Sequence, residues 1–250
     1  MLFSTLAIAS LAASVFALPS SQEHFAAAPA AHSDGTDITT YAQYSANWAG
    51  AALRGHAGTI KEVTATIKIP TIHRPVDQPD GEYNASIWLG VDGDTCSSAS
   101  ARIGLDVTVN ASGVIGQGWY SSNPGRRSYL TGPFNAGDSV KLRVTVNNAT
   151  SGSLSMLLSD ETNGKGASIG LSSSVPLCAQ DALWVVEDPE RNGALEPLAD
   201  FTSVLFDTAT VTLTTGEKIG PQGARAIEMY QGRAITYVDV QPSSVRITYL

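Results

Sequence analysis

Cysteine and histidine are scarce in this chain of 250 residues, which has two cysteines and four histidines. Cys96 and Cys178 lie far apart, and the histidines are scattered along the chain. None of them cluster with the close spacing of a zinc site, so the sequence predicts no metal. In a secreted chain a lone pair of cysteines is most simply a disulfide, so we expect Cys96 and Cys178 to be bonded to each other.

Positive charge is also scarce, with 15 Lys and Arg residues against 23 Asp and Glu residues. The formal net charge is −8, and the first basic residue of the whole chain is Arg54. An excess of negative charge disfavours binding to phosphate backbones and to anionic lipid headgroups. The composition therefore argues against nucleic acid or a membrane surface as a partner.

Long apolar runs are missing except at the start of the chain, where Met1–Ala17 reads MLFSTLAIASLAASVFA. This run is too short to span a bilayer, and Val15 and Ala17 fit the −3 and −1 positions of a signal peptidase site. We therefore expect a signal peptide over residues 1–17 and a secreted, extracellular protein; the alternative is a buried N-terminal helix. The Ala-, Ser- and Pro-rich segment 18–43 is predicted to be a short pro-segment or a disordered arm.

No segment from Tyr44 onward shows a helical period. Short runs that alternate between apolar and polar residues follow one another instead, separated by Gly, Pro, Asn and Asp clusters. Many short strands at regular spacing predict an all-β sandwich or barrel. Because we find no internal repeat and no second change in composition, we expect one domain over residues 44–250.

The stretch Ala85–Asp106 contains two such runs around an acidic turn. In each run the apolar residues alternate with others, which is typical of strands with one face in a core. The opposite face carries Trp88, Asp92, Arg102 and Asp106. An aromatic ring, a cation and two carboxylates on one sheet face suggest a binding groove. The alternative is a solvated face with incidental charges.

Two further strands add candidates to this groove. In Val114–Ser121, the side chains of Gln117 and Trp119 share a face, although the flanking glycines also permit a bulge with Trp119 in the core. The apolar strand Leu183–Asp188 ends in Glu187 and Asp188, and Pro189 is expected to stop the pairing. At a strand end, Glu187 has the chemistry of a general base, or it is simply solvated.

The residues named so far lie in a pattern that resembles the fungal glutamic peptidases, or eqolisins. The resemblance covers about Tyr44 to Leu250. Its most specific blocks are Ile87-Trp-Leu-Gly-Val-Asp-Gly-Asp-Thr-Cys-Ser-Ser-Ala99 and Trp184-Val-Val-Glu-Asp188. Shorter matches are Ser45-Ala-Asn-Trp-Ala-Gly-Ala51, Gly118-Trp-Tyr120, Gly137-Asp-Ser139, Leu177-Cys178 and Leu195-Glu-Pro-Leu-Ala-Asp-Phe201.

The resemblance implies an antiparallel two-sheet sandwich, similar to the concanavalin-like jelly rolls, with a substrate groove on its concave sheet. It also implies a secreted, metal- and cofactor-free acid endopeptidase that acts on polypeptides; we expect a monomer. In this family a Glu activates water and a Gln amide stabilises the oxyanion. The family Glu matches Glu187, and the family's cysteine pair matches Cys96 and Cys178.

This chain departs from the family where the second catalytic residue should be, because the family Gln matches Arg102. Two nearby positions that are acidic in the family are Gln117 and Ser121, and Pro189 stands where an aromatic residue is usual. The predicted site thus comprises Glu187 and Arg102 as catalytic residues and Trp88, Asp92, Gln117 and Trp119 as substrate-binding residues.

Three functions fit these departures. In the first, the chain is an active peptidase in which Arg102 or Gln117 donates to the oxyanion. In the second, Arg102 pairs with Glu187 and closes the site, which leaves an inactive peptide- or carbohydrate-binding relative. The third is a plain carbohydrate-binding jelly roll with Trp88 and Trp119 as stacking platforms, although no acidic calcium loop is evident. Fold alone does not choose among them.

Three N-x-S/T sequons, at Asn84, Asn110 and Asn148, are candidate surface glycosylation sites in a secreted protein.

Overall fold

The computed structural model describes residues 43–123, 126–130 and 132–250. The predicted signal peptide and nearly all of the segment 18–43 lie outside these residues. The described residues form strands and no helix, and so contain no helix that could cross a membrane. The strands are β1 (Gln43–Ser45), β2 (Trp48–Arg54), β3 (Ile60–Lys68), β4 (Tyr83–Val91), β5 (Ser100–Asn110), β6 (Gly113–Asn123), β7 (Ser128–Tyr129), β8 (Ser139–Asn148), β9 (Ser153–Asp160), β10 (Gly166–Ser172), β11 (Asp181–Glu187), β12 (Glu190–Arg191), β13 (Ala194–Leu195), β14 (Ser203–Leu213), β15 (Lys218–Ile219), β16 (Arg225–Met229), β17 (Thr236–Gln241) and β18 (Ser244–Tyr249).

Two large sheets form a sandwich. The first has the order β1-β16-β2-β11-β4-β5-β6-β7, and the second has the order β10-β9-β8-β3-β14-β18-β17, with β15 beside β14. Neighbouring strands are antiparallel except for β1 and β16. The predicted all-β, two-sheet antiparallel sandwich is therefore confirmed.

The main core lies between the sheets and is built from the alternating residues of each strand. From β4 it receives Ala85, Ile87, Leu89 and Val91, and from β8 it receives Val140, Leu142, Val144 and Val146. Since side chains alternate across a strand, burying one set places the other on the far face. This is why the core-facing residues were predictable from their period of two.

The outward face of the first sheet carries a second, smaller apolar cluster. It consists of Trp48, Ala52, Trp88, Trp119, Leu183, Val185 and Ile227. Trp88 and Trp119 belong to this cluster and are almost fully buried, although they point away from the main core. Part of the outward face is therefore shielded from solvent, unlike the solvated face that was considered as the alternative.

A disulfide joins Cys96 to Cys178 across a sequence separation of 82 residues. It ties the turn between β4 and β5 to the segment that leads into β11. The predicted disulfide is thus confirmed.

The three sequons differ in exposure. Asn110 and Asn148 lie at exposed strand ends. Asn84 is 6% exposed, and its Oδ1 accepts a hydrogen bond from Thr108 at 2.6 Å. The expectation of a surface position is therefore wrong for Asn84, because its amide is engaged inside the sheet.

Candidate functional site

Strand register brings a row of polar residues together on the outward face of the first sheet. Glu187 on β11 lies opposite Ser86 on β4, which lies opposite Asp106 on β5. Asp106 in turn lies opposite Gln117 on β6. Directly opposed residues share a face, so the sheet itself places these side chains side by side.

Two residues further along the same strands, a second row consists of Trp88 on β4, Gly104 on β5 and Trp119 on β6. Trp88 and Trp119 lie on either side of Gly104. A Cβ atom on Gly104 would stand 2.2 Å from the carbonyl oxygen of Ile87 and 2.5 Å from Cβ of Trp88. Only glycine therefore fits there, because the backbone of Ile87 and the Cβ atom of Trp88 already occupy that position.

Glu187 is held by two donors that bind the same carboxylate oxygen. Nε1 of Trp88 and Nη2 of Arg127 each donate to Oε2 at 2.8 Å. The Glu187 side chain is 16% exposed, so it is largely enclosed but reachable from solvent. Both contacts fall on Oε2, which fixes the orientation of the carboxylate and leaves Oε1 outside these two bonds.

Arg127 links Glu187 to the second carboxylate of the row. Its Nη1 donates to Oδ1 of Asp106 at 2.9 Å, and its guanidinium lies 4.1 Å from the ring centroid of Trp119. Asp106 also accepts a hydrogen bond from Ser86 at 2.7 Å and one from Tyr129 at 3.3 Å. The guanidinium is therefore held at its edge by the two carboxylates and at its face by the ring of Trp119.

Arg102, the predicted second catalytic residue, lies on the same sheet and the same face as Glu187. Its guanidinium carbon is 4.7 Å from the ring centroid of Trp88. Arg102 lies opposite Ser121 on β6. The indole of Trp88 therefore contacts Arg102 through its ring and Glu187 through its N–H group.

Gln117 lies in the polar row, and its amide nitrogen donates to the carbonyl oxygen of Leu130 in the loop between β7 and β8. The side chain that we considered as an alternative oxyanion donor is thus engaged with that loop. Trp88, Arg102, Gln117, Trp119 and Glu187 all occupy one face, on four adjacent strands.

Asp92 is the predicted site residue that lies apart from the others. It follows the last residue of β4 with a φ of 63°, and it is fully buried. Its carboxylate accepts hydrogen bonds from the backbone N–H groups of residues 179, 180 and 181, at 2.8, 2.9 and 3.3 Å. The expectation that Asp92 faces the groove assumed continued strand alternation, which the turn interrupts.

Asp92 also belongs to the compact group of potential metal ligands in the described part of the chain, with Cys96 and Cys178. The two sulfur atoms are bonded to each other, and the carboxylate is taken by backbone N–H groups. These three residues therefore hold the turn after β4 against the start of β11, and their donor atoms are already used.

Asp188 follows Glu187 and points to the opposite side of the sheet. Asp188 is 2% exposed, and this burial raises the pKa of its carboxyl group from 3.8 to about 7. The hydrogen bond from Gln231 lowers this pKa, whereas the charges of Glu187 and Glu196 raise it further. Gln231 donates to its Oδ2 at 2.7 Å. Two adjacent carboxyl groups therefore occupy very different surroundings.

Arg127 is the residue of this site that the sequence analysis missed. It lies between β6 and the two-residue strand β7, where no alternation could show which way a side chain points. The only local signal is a pair of arginines, Arg126 and Arg127, and nothing in the sequence distinguishes the exposed Arg126 from Arg127.

Comparison with known proteins identifies one matching family. The model of the Peptidase A4 family matches residues 46–249. Aspergillopepsin-2 of Aspergillus niger is 32% identical over 85% of this chain and 80% of its own length. Scytalidopepsin B of Scytalidium lignicola is 28% identical over 84% of this chain and 80% of its own length.

Solved structures are similar over most of the fold. Scytalido-glutamic peptidase with a peptide-based transition state analog has a TM-score of 0.71 and 28% identity, and covers 82% of this chain and 98% of its own. Aspergilloglutamic peptidase from Aspergillus niger has a TM-score of 0.63 and 32% identity, and covers 67% of this chain and 99% of its own. A third structure is SCP-B, a member of the eqolisin family, in complex with the tripeptide Ala-Ile-His, with a TM-score of 0.68 and 28% identity over 82% of this chain and 98% of its own.

Proposed function

Because this chain belongs to the Peptidase A4 family, the eqolisin or glutamic-type endopeptidases, we propose that it hydrolyses peptide bonds with Glu187 as the general base. The observation that carries this proposal is the carboxylate of Glu187, oriented by Trp88 and Arg127 at the rim of a sheet face. A general base must be held within reach of the proton that it removes, and this geometry provides a fixed, reachable carboxylate.

The proposed reaction begins when Glu187 takes a proton from water through Oε1. The water oxygen then bonds to the carbonyl carbon of the substrate, and the carbonyl electron pair moves onto its oxygen to form an oxyanion. When this intermediate collapses, the C–N bond breaks and protonated Glu187 gives its proton to the leaving amine. One carboxyl group therefore serves first as base and then as acid, with no net change in its protonation.

We place the polypeptide substrate across the outward face of the first sheet, beside Glu187, Arg127 and Gln117, where the buried rings of Trp88 and Trp119 contact Glu187 and Arg127. Two related structures contain a peptide-based transition state analog and the tripeptide Ala-Ile-His, which supports a polypeptide as the substrate class.

We further propose that the protein is secreted, acts outside the cell at acid pH as a monomer, and uses neither metal nor cofactor. The disulfide supports an oxidising compartment. Net negative charge supports the proposal that nucleic acid and membranes are not partners. Arg102, at the position of the family's Gln, is proposed to lie beside Trp88 in the substrate groove.

The inactive binding relative is the less favoured function, because family membership covers the whole sheet region and Glu187 is retained. A closed site would require an ion pair between Glu187 and a cation, and Arg127 does form such a pair with Glu187. This pair leaves Oε1 outside its contacts, however, so the carboxylate keeps an oxygen for the water.

Digestion of a denatured protein substrate between about pH 2 and 6, around the reference pKa values of carboxyl groups, tests the proposal. We expect cleavage by the wild type and none by Glu187→Gln, which keeps the size of the side chain and removes the base. Glu161→Gln is the matched control, since Glu161 is an exposed turn residue. Cleavage by Glu187→Gln at the wild-type rate would contradict the assignment of the base.

A further inference from the structure

We propose that Arg127 is the electrophilic residue of this site, the group that stabilises the oxyanion where the family's amide is missing. This inference rests on the proposed peptidase function, and it assigns to one loop residue a role that sequence comparison gives to another position. It follows from the contacts of Arg127 with Glu187, Asp106 and Trp119.

The first argument is distance to the base. Nη2 of Arg127 lies 2.8 Å from Oε2 of Glu187. A water that gives its proton to Glu187 attacks a carbonyl carbon one bond away from the developing oxyanion. We therefore place the oxyanion beside the Arg127 guanidinium, because stabilisation requires a donor about 2.7–3.1 Å from the oxyanion.

The second argument is the number of donors. A guanidinium has five N–H groups in one rigid plane. Asp106 and Glu187 each receive one of them. The other N–H groups lie in the same fixed plane, and the Arg127 side chain is 26% exposed, so a substrate in the groove can reach them.

The third argument is preorganisation. Asp106 holds Nη1, the ring of Trp119 lies against one face of the guanidinium, and Ser86 and Tyr129 hold Asp106 in turn. A donor fixed before the reaction does not have to reorient when charge develops, which is the source of its catalytic effect. A loosely placed surface arginine would lack this advantage.

Two other donors on this face, Gln117 and Trp88, are less suited to the role. The amide of Gln117 donates to the carbonyl oxygen of Leu130, and the N–H group of Trp88 donates to Glu187 itself. In the proposed step the carbonyl π pair becomes the lone pair of the oxyanion beside Arg127. It returns to re-form the carbonyl when the C–N bond breaks, and Arg127 keeps all its protons throughout.

The test compares Arg127→Leu and Arg127→Ala with wild type in steady-state peptide hydrolysis. We expect kcat to fall by about a hundredfold, in the range seen for removal of one oxyanion donor, with KM changed by no more than a few fold. Added methylguanidine should restore part of the activity of Arg127→Ala and none of the activity of Glu187→Gln. Arg126→Leu is the matched control, because it makes the same charge change at an exposed neighbour. Near-ultraviolet circular dichroism verifies that each variant is folded.

The remaining outcomes separate the two proposals. A folded Arg127→Leu that is as active as wild type, or more active, would show that Arg127 is a bystander or a block, and would overturn this inference while the peptidase function stands. If Arg127→Ala has a lower kcat that methylguanidine does not restore, the role of Arg127 is structural only. If wild type and both Arg127 variants are folded and inactive, the proposed function fails, and this inference fails with it.

Discussion

The indole N–H of Trp88 donates to Oε2 of Glu187 at 2.8 Å, while the guanidinium of Arg102 lies 4.7 Å from the centroid of the same ring. One side chain thus contacts both residues that match the family's catalytic pair. Because an indole hydrogen bond and a cation–π contact are both directional, moving Trp88 would disturb Glu187 and Arg102 together.

Replacing Arg102 by glutamine should raise the rate of peptide hydrolysis. The change restores the neutral amide of the family at this position and adds a second donor for the oxyanion. A donor of this kind is worth up to about a hundredfold in kcat. We expect kcat of Arg102→Gln, measured in acid with a chromogenic peptide, to exceed that of wild type.

Arg102→Leu is the control for this variant, since it removes the cation without adding an amide. A rise in activity with Gln but not with Leu would assign the gain to the amide. If Arg102→Gln hydrolyses the peptide more slowly than wild type, Arg102 itself is a working catalytic residue.

The free energy of unfolding should fall as the pH rises from about 4 to 7. Burial raises the pKa of Asp188 to about 7 in the folded protein, from 3.8 when it is exposed. The folded state therefore binds this proton more tightly, so its stabilising effect is complete below 3.8 and is lost as the pH rises through 7. The difference between these two pKa values corresponds to at most about 4 kcal/mol in the free energy of unfolding.

Urea unfolding at a series of pH values measures this effect. Asp188→Asn keeps an acceptor for Gln231 and cannot ionise, so its stability should depend less on pH between 4 and 7 than that of wild type. An Asp188→Asn curve parallel to the wild-type curve would assign the pH dependence to other carboxyl groups.

Gly104→Ala should destabilise the fold and reduce activity together. The added Cβ would meet the backbone oxygen of Ile87 at 2.2 Å, so the strand or Trp88 has to move. Overpacking of this kind costs roughly 1–3 kcal/mol. Thermal unfolding and peptide hydrolysis measure the two effects.

Gly170→Ala is the matched control for this glycine, because a Cβ there meets no atom within 4 Å. Its melting temperature should equal or slightly exceed that of wild type. A Gly104→Ala variant with wild-type stability and activity would show that Ile87 and Trp88 can shift to accommodate the added methyl group at little cost.

Much of the sandwich could be predicted because its signals are local. A period of two determines which side of a strand is apolar, and the core residues of β4 and β8 follow it. Very short strands such as β7, β12, β13 and β15 were missed, since two residues cannot show a period. Pro189 was correctly expected to end β11, because it has no N–H group for the ladder.

The sequence by itself determined the all-β class, the face shared by Trp88, Arg102 and Glu187, and the pairing of Cys96 with Cys178. Only the tertiary structure decided which cation reaches Glu187, because Arg127 comes from a loop whose side-chain direction no repeat specifies. It also decided that Asp92 turns inward, because the positive φ angles of Asp92 and Gly93 after β4 end the alternation that the strand had followed. Strand faces depend on neighbours along the chain, whereas the contacts of loops and turns depend on residues that are distant in sequence.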